Sequence, residues 1–315
     1  MAWVTWRQHR SQALGAFGLL VAVSVAALLT HLPIATAFGH DSLSGCLPPV
    51  TRTGCDIIVP HFQNQFGGLD TATRIMAVLP LLAGLFVGAP LVARELEFDT
   101  YRFAWTQGVS RRRWLLSKTL LLAAGTAVAA GGVSLLLMWW RVPFDDLEGR
   151  IGPSGFDIEG IVVPAYALFA LALGVLAGLV FRRTVAAMTA TLVAFGTTRF
   201  LVSDFVRPHY LAPLHRVISA TATTGIPGDW VLSNTLVDAG GRRVTAANEE
   251  LAVVHAQQAG IDPHTYILTL GWRRIVSYQP GGRFWTFQIL EAGLYLGLAV
   301  GLVLVALWLV RRTPA

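Results

Sequence analysis

The sequence predicts an all-α integral membrane protein with six transmembrane helices, both termini in the cytoplasm and a small external subdomain between the fifth and sixth spans. Three observations predict it. First, six apolar runs carry almost no charge: Ser11–Thr30, Ile75–Ala93, Thr119–Trp140, Ile161–Phe181, Val185–Val202 (interrupted only by Arg199) and Ala292–Val310. Each is about 20 residues long, roughly 30 Å of helix, which matches the hydrocarbon thickness of a bilayer. A segment in hydrocarbon must satisfy its own backbone hydrogen bonds, so these runs are expected to be helices. Second, 54% of the residues are apolar and only 13% are charged, a balance that suits lipid better than a water-facing surface. Third, Arg and Lys gather outside alternate ends of the runs.

That third observation sets the orientation. With the N-terminus inside, the cytoplasmic side receives Arg7, Arg10, Arg94, Arg102, Arg111, Arg112, Arg113, Lys118, Arg182, Arg183, Arg311 and Arg312, against the acids Glu95, Glu97 and Asp99. The opposite side holds the remaining acids, and its short loops carry only Arg52, Arg74, Arg141 and Arg150 as basic groups. This is the positive-inside bias. The net charge of +6 is therefore spent at a membrane surface and does not point to nucleic acid.

The elements follow in order. Residues 1–10 form an N-terminal interfacial helix, and 11–202 hold spans one to five with their loops. The apolar run after Arg7 and Arg10 is too long for the core of a signal peptide, so the first span is expected to remain uncleaved. The first external loop, about Leu32–Arg74, contains the only cysteines, Cys46 and Cys55. Outside the cell they can oxidise, and a structural disulfide is expected, the alternative being two free thiols.

The first cytoplasmic loop, 94–118, is polar with interspersed aromatics. Ser110 after Gly108 reads as a helix cap following a turn, so a short helix is expected near Phe98–Gln107. The second external loop, Arg141–Gly160, is short and acidic, as an outside loop should be, and its charge needs no ligand to explain it. Arg182-Arg183-Thr184 is a tight basic turn inside.

Residues 203–288 form the one soluble-looking segment. Thr245 caps an expected helix ending at Gly260, and Tyr266–Trp272 and Arg274–Tyr278 have strand-like content. Residues 289–315 are the sixth span and a cytoplasmic tail. Arg199 and Glu291 sit at span ends, and no carboxylate or histidine is obvious at mid-membrane. Self-powered ion-coupled carriers usually need such a group.

Small residues recur four apart at Gly84/Gly88, Gly174/Gly178 and Gly293/Gly297/Gly301. Such rows let helices approach closely in lipid, and the triple in the sixth span is the stronger candidate. Catalytic signatures are missing. There is no HExxH, no GxSxG, no metal-spaced Cys/His cluster and no phosphate-binding GxxxxGK[ST], since Lys118 is the only lysine. No catalytic or metal residue is assigned, and the chain is not expected to be an enzyme.

A family resemblance rests on three stretches. Glu97-Phe98-Asp99-Thr100, then Thr106-Gln107-Gly108-Val109-Ser110-Arg111 and on to Lys118, resembles the loop after the second span of type-2 ATP-binding-cassette exporter permeases. There an E-x-G-T segment, an apolar helix, a T-P-V-S-R turn and a distal lysine follow one another. Asp99 stands here in place of the glycine and Gln107-Gly108 in place of threonine-proline. Trp3–Arg10 and Tyr278-Gln279-Pro280 through Gln288 are similar to actinobacterial-type members.

The resemblance implies a two-fold pathway built with a second permease copy, and a separate cytoplasmic ATPase docked on each half. It implies a coupling helix over Asp99–Gln107, with Glu97, Asp99, Thr100, Arg102, Phe103, Trp105, Thr106 and Arg111 as the partner-coupling residues. It also implies that ATP and magnesium belong to the partner, with no cofactor in this chain. The expected function is a plasma-membrane permease that exports an amphipathic or hydrophobic substrate, with Arg199 either near the outer mouth of the route or serving as a headgroup anchor. The alternative is a membrane-anchored sensor or scaffold presenting residues 203–288 to a ligand.

Overall fold

The computed structural model describes residues 2–40, 43–47, 53–98, 110–222 and 228–312. Among them, six helices are long and apolar enough to cross a membrane. The first, α1 (Ala2–His40), runs without a break through the predicted first span, so residues 2–10 continue the same rod.

The second begins earlier than its apolar run. From α2 (Cys55–Arg74) the chain passes through a 3-10 turn, Ile75–Val78, then α3 (Leu79–Leu82) and a π-helical turn, Ala83–Gly88, into α4 (Ala89–Glu97). This 43-residue path is about 65 Å long, twice the hydrocarbon thickness. Its uncharged half from Ile75 is the predicted span. The first half is amphipathic and buries Phe62 and Phe66 against Ile34, Leu43, Trp140 and Phe144. What reads as a loop in sequence is therefore mostly helix.

Four more long helices complete the set: α5 (Arg111–Trp140), α8 (Val162–Phe181), α9 (Thr184–Leu201) and α12 (Phe284–Arg312). Two short helices, α6 (Val142–Glu148) and α7 (Pro153–Phe156), fill the connection before α8. Ser110 caps α5 as expected, its hydroxyl accepting from the Arg113 amide at 3.4 Å. The expected helix near Phe98–Gln107 falls almost wholly outside the described residues.

The hub is α8. Of its most apolar window 72% is buried within the chain, against 11–39% for the other spans. A helix apolar all round belongs in the middle of a bundle, and α8 reads that way in sequence. Glycine seats it. A Cβ added to Gly174 would lie 2.4 Å from the Gly84 carbonyl oxygen, and one on Gly178 would lie 2.8 Å from that of Ala89. So α8 meets the π-turn and α4 backbone to backbone.

The triple Gly293, Gly297 and Gly301 behaves differently. Among the described residues a Cβ there would meet nothing within 4 Å, and the packing expected at these three is not made among them. The sixth span turns its other face to α8 and packs through Phe287, Ala292, Tyr295 and Ala299.

The segment before the sixth span is not all helical. Strands β1 (Leu214–Ser219), β2 (Trp230–Val237) and β3 (Arg273–Gln279) form an antiparallel sheet in the order β1-β3-β2. Leu214 pairs with Tyr278, and Trp230 with Gln279. The strand expected at Arg274–Tyr278 is present as β3. The strand-like reading of Tyr266–Trp272 is corrected, because α11 (Pro263–Thr269) occupies most of it. Asp262 accepts from the Thr265 amide at 2.9 Å and Pro263 opens the first turn, and this start signal prevails over side-chain β preference. Before it, α10 (Ala246–Gln258) starts at the predicted cap, where Thr245 accepts from the Asn248 amide at 3.4 Å.

Candidate functional site

The sheet sits at the bundle end that carries Cys46 and Cys55, and these two cysteines are disulfide-bonded. At this end the span termini are held by buried ion pairs that their flanking positions in sequence do not announce. Arg207, 1% exposed, lies at the end of the fifth spanning helix. Its Nε donates to Glu291 Oε2 at 2.7 Å, and its Nη2 donates to Glu291 Oε1 at 2.7 Å and Asp157 Oδ1 at 2.5 Å. Arg199, about two helical turns earlier, pairs with Asp157 at 3.0 Å and Glu291 at 3.2 Å and stacks 3.8 Å above the Tyr166 ring. Tyr166 in turn donates to Glu291 at 2.5 Å.

Two guanidinium groups and two carboxylates therefore balance inside the protein, joining the fourth, fifth and sixth spans to the loop before α8. Burial alone would raise the Asp157 carboxyl, but Arg207 and Arg199 outweigh it and hold it below the usual carboxylate range. Neither reading of Arg199 from sequence, pathway mouth or headgroup anchor, includes these partners.

A second cluster lies at the end of the third span. Arg141 has no exposed surface. Its Nε donates to Glu159 Oε1 at 2.8 Å, and its Nη1 donates to Asp70 at short range and to Thr73 at 3.3 Å. Arg150 reaches the other oxygen of Glu159 at 3.1 Å, and Asp145 lies 3.4 Å from Arg141. Burial first, then the neighbouring Glu159 carboxylate, push Asp145 up to about 8. The acidic loop, expected as an ordinary outside loop, thus supplies internal counter-charges for this end of the bundle.

A cavity of about 540 Å³ opens above the first cluster, where the sheet meets the helices, with Asp157, Asp204, Arg207, Trp230 and Ser277 on its wall. Its size suits a small molecule. Arg207 spends its donors on Glu291, Asp157 and Tyr166, so its charge on this wall is already met. Among the described residues, no group of three or more His, Cys, Asp or Glu side chains could hold a metal ion.

The opposite end carries the basic flanks. Here Lys118 pairs with Glu95 and lies 5.0 Å above the Trp114 ring, tying the third span to the second. Glu97 crosses to the fifth span, where its Oε2 accepts from the Thr184 amide at 3.0 Å and from the Thr184 hydroxyl at 2.8 Å. Arg111 opens α5, half-buried. Of the other coupling candidates, Asp99, Thr100, Arg102, Phe103, Trp105 and Thr106 lie outside the described residues.

Sequence reasoning passed over Asp70, Arg141, Asp157, Glu159 and Arg207. One signal was available: opposite charges flank four different helices on the same side, and such groups can pair when the helices converge. Gln288 gave no such signal. It accepts from the Val162 amide at 3.1 Å and donates to the Glu159 carbonyl at 3.1 Å, capping the fourth span from the sixth.

A family model described as "ABC-2 membrane transporter related" matches residues 17–207. The match starts within α1 and ends at Arg207, so it takes in the first five spanning helices and leaves out the sheet. No curated protein and no solved structure matches the chain. With more than half of its residues matched and six membrane-competent helices in place, the chain belongs to the ABC-2 membrane transporter-related family.

Proposed function

We propose that this chain is the permease subunit of an ATP-driven exporter in the plasma membrane, with a separate ATPase subunit and a second permease copy as partners. The observation that carries the reading is the family match over residues 17–207. In this reading the end with Arg94, Arg111–Arg113, Lys118, Arg182 and Arg183 faces the cytoplasm. The ATPase docks on the loop 99–107, with Phe103 and Trp105 as buried aromatic anchors and Arg102 at the rim. ATP and magnesium belong to the ATPase. Arg141, Arg199 and Arg207, at the span ends opposite the basic flanks, are paired with carboxylates, which supports an amphipathic or hydrophobic substrate rather than a simple ion. Switching between two packings of the helices then moves it, driven by nucleotide binding to the partner.

The test is co-purification with an ATPase encoded beside this gene, followed by hydrolysis assays in lipid against hydrophobic drugs, lipids and inorganic ions. Amphiphile-stimulated hydrolysis is the expected result. A chain that binds no ATPase, or responds only to a simple ion, defeats the reading. The alternative, a membrane-anchored sensor, draws on the cavity under the sheet and predicts ligand binding with no ATPase in the complex.

A further inference from the structure

We infer that Glu97 is the positioning residue through which the loop 99–109 acts on the fifth span. The inference rests on the permease reading and adds a route for movement within it.

The fifth span starts abruptly. Arg182 takes a left-handed conformation (φ 54°) to close the fourth span, with its amide on the Gly178 carbonyl at 3.1 Å. Arg183 follows as the cap residue of α9 and offers no side-chain cap. A helix start leaves backbone amides without intrahelical partners, and a local Ser, Thr, Asp or Asn normally serves them. Here the acceptor comes from the end of α4. The Glu97 carboxylate takes both the Thr184 amide and the Thr184 hydroxyl, and it sits where the positive end of the helix dipole favours an anion.

The element that carries Glu97 is stiff. Ala89 and Ala93 of α4 are fully buried against Ala177 of the fourth span and Ala187 of the fifth. A Cβ on Gly178 would lie 2.8 Å from the Ala89 carbonyl oxygen and 3.1 Å from the Ala93 amide nitrogen. Side chains this small leave little room to slide, so displacement of α4 carries the neighbouring helices with it. The loop leaves α4 two residues after Glu97, and α4 is also tied to the third span by Glu95 and Lys118. A force on the loop therefore reaches the fifth span through one carboxylate and one alanine seam. The seam supplies rigidity and the carboxylate supplies the directed link.

The test compares Glu97→Ala with Glu97→Gln, which keeps an acceptor oxygen, in the chain purified with its ATPase and reconstituted in lipid. Amide exchange at Thr184–Met188 is read on the permease alone, and hydrolysis and transport are read on the complex. The expected result for Glu97→Ala is exchange faster by about tenfold and transport per ATP reduced by about the same factor. Glu97→Gln should restore most of both. Faster exchange with transport per ATP unchanged makes the contact a mere cap and overturns the inference, leaving the permease reading intact. Unchanged exchange overturns it as well. Failure of the unsubstituted chain to bind an ATPase defeats the permease reading, and the inference with it.

Discussion

Arg141 and Glu159 meet inside the protein with neither side chain exposed, the guanidinium Nε donating to the carboxylate at 2.8 Å. The pair joins the end of the third span to the loop that opens the fourth. Asp70 of α2 takes another donor of the same guanidinium. Truncating Arg141 leaves carboxylates buried without their partner. Arg141→Met should therefore lower unfolding stability by about 3–5 kcal/mol, the usual cost of breaking a buried pair from one side. Melting of the detergent-solubilised chain reads this directly, and an unchanged melting temperature would show that the cluster holds nothing together.

The same cluster predicts a pH dependence. In the folded chain Asp145 is pushed up to about 8, whereas an unfolded aspartate titrates near 4. Between those values the folded state binds the extra proton, so stability falls as pH rises from about 4 to about 8 and then levels off. Asp157 acts in the opposite sense: its lowered carboxyl adds stability that is lost as pH falls below the ordinary aspartate range. Asp145→Asn should flatten the neutral-side decline. A melting profile of the same slope in the variant would assign the dependence to another group.

Glycine substitutions should separate two faces. Gly174→Leu drives a side chain into the backbone at Gly84 and Gly88 and should abolish folded, monodisperse protein. Gly297→Leu enters open space within the chain and should leave the monomer's melting temperature unchanged. If instead Gly297→Leu destabilises the monomer and Gly174→Leu does not, the placement of α8 against α4 is wrong.

The disulfide should resist alkylation until it is reduced. Replacing both Cys46 and Cys55 with serine frees a short loop and should lower stability by about 2–3 kcal/mol. Mass spectrometry after alkylation without reductant gives the first answer, and thermal melting gives the second.

Sidedness is testable at exposed positions. A cysteine introduced at Asn248 should react with an impermeant reagent in intact cells, and one at Arg311 only after permeabilisation. Both positions are exposed. Gly149 is unsuitable for such labelling, because its φ is 84° and a Cβ there would lie 2.3 Å from Gly228. Labelling at Arg311 in intact cells would reverse the orientation.

The spans were legible because their signal is local. A run such as Ile161–Phe181 declares a helix by length and apolarity alone, since hydrocarbon offers the backbone no other partner. Local chemistry also placed the caps at Ser110 and Thr245 and the strand at Arg274–Tyr278. Where two local signals competed, as at Tyr266–Trp272, the Asp262-Pro263 start prevailed over β content.

What the sequence determined by itself was the membrane class, the number of membrane-competent helices and some helix starts, such as those after Ser110 and Thr245, because each depends on residues within about 20 positions of one another. Tertiary structure alone decided who meets whom. It chose Gly174 and Gly178 over the more regular triple in the sixth span, because a small-residue row becomes an interface only if its face turns inward. It also turned Arg199, Arg207, Asp157 and Glu291 from flanking charges into one buried network. Arg207 and Glu291 are 84 residues apart, and a pairing made across that distance depends on how helices converge, which no window of sequence contains.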